Sequence, residues 1–104
     1  MNSYIRFKLA LTEHEPVIKP YDEAKWALLP DAEAAPLENS LQLLELIHER
    51  WMFVLRSLQG DDWNIVYRHP ELGPVSLAHA VAMYAWHGNH HVAHITSLRE
   101  RKGW

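Results

Sequence analysis

The chain has 104 residues, 48% of them hydrophobic and five of them Trp, with a formal net charge of -3 at pH 7. That length suits one domain with a modest core, the composition is too apolar for a disordered tail, and the ten Lys and Arg residues are too scattered for a nucleic-acid footprint. With no apolar run of roughly 18 residues, no charged-then-apolar leader and no Cys, a cytoplasmic protein without nucleic-acid or membrane partners is expected, and any metal must sit on His nitrogen or carboxylate oxygen.

Residues 1–12 place Tyr4, Ile5 and Leu9 at helical spacing without a strong cap, which reads as the end of a helix whose earlier turns lie upstream of Met1. In residues 13–36, Pro16, Pro20, Pro30 and Pro36 forbid a long helix, leaving a helical turn around 22–29 within a crossover. Residues 37–59 repeat Leu37, Leu41, Leu44, Trp51, Leu55 and Leu58 every three or four positions, the pattern of a helix with one apolar stripe. His48 falls on that stripe, so it is expected in the core with a polar partner.

Residues 60–75 hold a short β-prone run, Trp63 to Tyr67, between turn residues, and read as a loop with room for local strand pairing. Ser76 is a good N-cap for a helix over 76–102 that runs through Leu77, Val81, Tyr84, Gly88, His91 and Ile95 and stops at Gly103. Two strong helices, a partial third and a long connection predict an all-α, incomplete bundle of about three helices in a single domain, 1–104.

Four of the eight His residues fall between positions 87 and 94. Residues i and i+4 on a helix lie about 40° apart around the axis and one turn apart along it, so two imidazoles so placed can aim at one ion. His87 with His91 and His90 with His94 both have this spacing. His87 and His91 follow the Tyr84 to Ile95 stripe, which directs them inward, whereas His90 and His94 sit at its edge. Gly88 weakens a helix interior and suggests a close approach of another group at that level. Spacing alone serves a metal site, a hydrogen-bonded core pair or a solvated face equally. A catalytic site also needs a third ligand, for which His48 is the best placed in the chain, with a neutral core imidazole as the alternative. His14, His69 and His79 read as surface residues.

The segment Tyr84 to Ile95, with Thr96 to Trp104 after it, resembles the last helix of the DinB superfamily and of its YfiT-like members. Asn2 to Thr12, Ile18 to Tyr21, Ser40 to Leu58 around His48-Glu49-Arg50-Trp51, and His69-Pro70-Glu71 extend the resemblance over nearly the whole chain. It implies a four-helix bundle with a long crossover and a divalent ion, nickel or zinc, held by one His on the second helix and an H-x-x-x-H pair on the fourth. The pair corresponds to His87 and His91, while the first His and the first helix would lie upstream of Met1. Residues 1–12 are then the remainder of helix two, 37–59 helix three and 76–102 helix four.

The same resemblance implies a metal-dependent hydrolase or a thiol S-transferase that activates water or a low-molecular-weight thiol against a small-molecule substrate. In that scheme His48 and Tyr84 support the metal site or handle protons. A bundle short of one helix exposes an apolar face, which predicts a homodimer or higher oligomer. The alternative is a catalytically incomplete metal-binding fragment that acts as an oligomerising helical module.

Overall fold

A computed structural model describes residues 1–104. Its elements in chain order are α1 (Asn2–Thr12), α2 (Glu23–Ala27), α3 (Pro30–Ala34), α4 (Leu37–Ser57), a 3-10 turn (Gly60–Asn64), β1 (Val66–His69), β2 (Gly73–Ser76) and α5 (Leu77–Lys102). The crossover holds the expected short helix, capped where the Asp22 carboxylate accepts from Lys25 N–H at 3.0 Å. A second short helix, α3, starts on Pro30, whose fixed φ suits the first helical turn. α4 ends two residues earlier than expected, because Gln59 leaves the helix to cap the next turn, its N–H donating to the Asp62 carboxylate at 2.9 Å.

The expected loop is an antiparallel hairpin in which Val66 pairs with Ser76 and His69 with Gly73. Gly73 has φ +73°, a left-handed conformation that a side chain would strain. The hairpin also fastens the start of the crossover: Ile18 N–H donates to the Arg68 carbonyl at 3.0 Å and Arg68 N–H to the Pro16 carbonyl at 2.8 Å. Such non-local backbone bonds are invisible to a periodicity argument, since they join segments some 50 residues apart.

Ser76 caps α5 as expected, its hydroxyl accepting from His79 N–H at 3.2 Å, and Gly103 ends the helix with φ +67°. At about 1.5 Å per residue α5 is about 39 Å long, against about 17 Å for α1. The second half of α5 therefore projects past everything that packs on the first half.

The core lies where α1, the hairpin and the first two turns of α5 meet, with Phe7, Ile18, Tyr67 and Leu77 almost completely enclosed. Trp51 is the one buried residue α4 supplies, its ring 5.0 Å from Phe7 and 5.6 Å from Tyr84 in edge-on contacts. The N-terminal part of the α4 stripe is a correction to the sequence expectation, since Leu37, Leu41 and Leu44 are exposed, Leu44 by 55%, whereas Leu55 and Leu58 pack partly buried against the core. Only nine of 104 residues are buried, and the radius of gyration is 16.1 Å; a compact chain of this length has about 13 Å. Its accessible surface is 8261 Å², against about 6,000 Å² for a compact monomer of this mass. The stripe exists, but within residues 1–104 nothing covers its N-terminal half.

Candidate metal-binding cleft

His87 and His91 turn their rings toward each other, with the two Nε2 atoms 3.0 Å apart and the ring planes nearly perpendicular. This convergence is what a shared ion needs, because two ligand nitrogens at about 2.0–2.1 Å from one ion stand about 3 Å apart when they subtend a right angle. The inward, buried placement expected for the pair does not hold: both rings are exposed. The cause is the overhang of α5, where every residue from Ala85 onward is exposed and Ile95 reaches 62%. Gly88 likewise has no packing reason in this chain, since a Cβ built on it would meet nothing within 4 Å.

No group of three or more His, Cys, Asp or Glu is positioned to hold a metal ion. The imidazole pair therefore fits a divalent ion as two of its ligands, with further donors needed from outside these residues. His48 is not a third. It is exposed rather than in the core, lies flat over Trp51 at 6.4 Å, and borders an apolar slot of about 240 Å³ with Met52, Leu55 and Tyr84. No polar partner satisfies it, and it is not gathered with His87 and His91.

His87 instead opens on a cleft of about 340 Å³ whose wall includes Arg6, Glu23, His69, Glu71 and Tyr84. Asn2 and Ser3 at the start of α1, and Pro20 and Tyr21 of the crossover, complete its rim. A larger depression of about 520 Å³ near the end of α1 contains His14 but no histidine of the α5 cluster.

Within the cleft Arg6 Nη1 donates to the Tyr84 hydroxyl at 3.3 Å. Burial works to raise the Tyr84 pKa, but hydrogen bonding from Ser3, Arg6 and Tyr67, together with the Arg6 charge, more than offsets it, and the phenol lies below its ordinary value. Tyr67 shifts the other way, raised first by burial and then by its neighbour Tyr84. The two phenols are thus driven apart, with Tyr84 the more acidic of the pair.

His69 is the residue that sequence reasoning missed. Its Nδ1 accepts from Glu71 N–H at 3.2 Å and from Leu72 N–H at 3.4 Å, so a neutral ring carries its proton on Nε2. In that tautomer it is a hydrogen-bond donor rather than a ligand. Its position in a Pro-containing turn suggested the surface, and only the hairpin brings that turn alongside α5. Glu71 reaches the cleft the same way and Glu23 from α2 of the crossover, and neither gave a periodic signal.

The DinB superfamily profile matches residues 1–95. Relatives from Bacillus cereus and Bacillus thuringiensis, each provisionally named metal-dependent hydrolase, are 58% identical over all 104 residues, and one from Bacillus anthracis is 57% identical. The chain spans 60% of the length of these curated relatives. A solved structure, YfiT from Bacillus subtilis, is described as a probable metal-dependent hydrolase with an unusual four-helix bundle topology; it superposes with a TM-score of 0.93 at 47% identity, over 100% of this chain and 60% of its own. The fold is accordingly a portion of that four-helix bundle, and the chain belongs to the DinB superfamily.

Proposed function

We propose that the chain forms part of a metal-dependent enzyme in which His87 and His91 bind a divalent ion, nickel or zinc, and act on a small-molecule substrate. The observation that carries this reading is the convergence of the two Nε2 atoms at the mouth of a polar cleft. When bound, such an ion lowers the pKa of water or of a low-molecular-weight thiol and yields a nucleophile near neutral pH, which serves hydrolysis and S-transfer alike.

The surrounding side chains have distinct tasks in this scheme. Arg6 provides a fixed positive charge for an anionic substrate group while holding the Tyr84 hydroxyl. Tyr84, its pKa lowered, passes a proton to or from the reacting atoms. The His69 Nε2–H donates to a substrate oxygen, and Glu23 and Glu71 on the same wall favour a cationic or hydrogen-bond-donating substrate region. The test is turnover of ester, amide and thiol-acceptor substrates by metal-loaded protein, with and without a chelator. Tyr84→Phe is expected to lower kcat by about 100-fold or more with metal content unchanged; an undiminished kcat removes Tyr84 from the mechanism.

The chain is further proposed to work as a homodimer or higher oligomer. Its accessible surface exceeds that of a compact monomer by roughly 2,000 Å², while a standard interface withdraws about 800 Å² per partner. Leu41 and Leu44 on α4 and Val92 and Ile95 on α5 are exposed apolar side chains suited to such a contact. Sedimentation should give at least twice the monomer mass, reduced to the monomer by Leu44→Glu. A monomeric wild type refutes this. The presence of only two assembled donors favours a second reading, an inactive metal-binding module, which predicts oligomers without turnover at full metal loading.

A further inference from the structure

The second histidine pair of α5 has the same geometry as the first. His90 and His94 place their Nε2 atoms 2.9 Å apart, with ring centroids at 4.3 Å and planes 77° apart, close to the 4.4 Å and 76° of His87 and His91. From the helical repeat, the two pairs are turned about 60° from each other around the axis. The second pair therefore faces a different direction and lies outside the cleft that His87 borders. It lines its own shallow depression with Ala93, Ser97 and Arg101.

We propose that His90 and His94 form a second, independent binding site for a late divalent transition-metal ion. A nitrogen separation of 2.9 Å corresponds to adjacent ligands at about 90° for bonds of 2.0–2.1 Å, whereas tetrahedral ligands would stand about 3.3 Å apart. Like the first pair, the site offers two borderline imidazole nitrogens, donors that suit nickel and copper. Water completes the shell, since the pair is exposed. The Ser97 hydroxyl beside it is a further oxygen donor. Arg101 lines the same depression and its charge opposes a cation, which makes this the weaker and more readily exchanged of the two sites.

Trp86 is in direct contact with this pair, whose rings lie 6.3 and 6.5 Å from that of His91. Its indole stacks on His90 with centroids 4.8 Å apart and planes within 15°. A paramagnetic ion on His90 therefore sits against that ring and should quench its emission.

The experiment is a titration of metal-free chain with Ni²⁺ and with Cu²⁺, following stoichiometry by calorimetry and Trp emission in parallel. Wild type should take up two ions per chain. His90→Ala/His94→Ala should take up one and lose the weaker binding phase, with affinity there reduced at least about tenfold. His87→Ala/His91→Ala should lose the tighter phase yet keep the emission change, and Trp86→Phe should remove the emission change while keeping both ions. Because the four rings are exposed, these variants are expected to fold, which far-ultraviolet circular dichroism verifies. Uptake of two ions by His90→Ala/His94→Ala, or of only one by wild type, overturns the second site. So does loss of the emission change in His87→Ala/His91→Ala, since it would mean that all four rings share one ion. Failure of the His87/His91 reading shows separately, as a tight phase that survives His87→Ala/His91→Ala.

Discussion

His91→Ala should remove tight metal binding from this chain. Of the two convergent nitrogens 3.0 Å apart, the substitution leaves one, and a single imidazole on an exposed helix has neither the second bond nor the fixed geometry that makes the pair a chelate. Affinity should fall by about 100-fold or more, beyond the usual cost of disturbing a residue that only supports a ligand. His87→Ala should do the same, because the two rings contribute equally. Elemental analysis after dialysis provides the measurement, made in a His90→Ala/His94→Ala background so that the neighbouring pair cannot retain metal. His48→Ala should leave the content unchanged, since that ring lies over Trp51 and outside the cluster. Undiminished metal in His91→Ala would defeat the assignment.

Phe7→Ala should abolish stable folding of the chain. Phe7 is fully enclosed, and its ring meets Trp51 edge-on at 5.0 Å. Truncating a buried Phe costs about 3–5 kcal/mol through lost burial and the cavity left behind, and domains have only about 5–15 kcal/mol in total. This chain has less redundancy than most, because its core is one cluster of eight buried apolar residues and Trp51 is the only one on α4. With Phe7 gone, α4 loses the contact that fixes it to α1. Chemical denaturation should show a midpoint lowered to near zero denaturant. Leu44→Ala, at a residue 55% exposed, should change stability little in the monomer. Equal effects from the two would mean that Leu44 is as well packed as Phe7.

The α4 stripe shows where sequence reading stops. Leu37, Leu41, Leu44 and Trp51 do share one face, yet only Trp51 is buried. Periodicity reports which residues lie on the same side of a helix and says nothing of whether another element lies against it. Spacing puts His48 on the same face, and it is exposed as Leu44 is, one turn before the buried Trp51. The cleft was legible only in part. His87, His91 and Tyr84 sit on one helix and could be related by the helical repeat, whereas Arg6, His69 and Glu71 arrive from α1 and the hairpin.

By itself the sequence determined what local chemistry controls. It fixed α5 from the Ser76 cap to the Gly103 stop, the crossover from its prolines, and the two histidine pairs from a four-residue spacing. Tertiary structure alone decided which faces are covered, that Ser3, Arg6 and Tyr67 pull the Tyr84 proton equilibrium down, and that a turn at His69 borders the same cleft as His87. The division follows from range: caps, turns and i,i+4 geometry are settled within a few residues, while burial and charge proximity depend on segments that only long-range packing brings together.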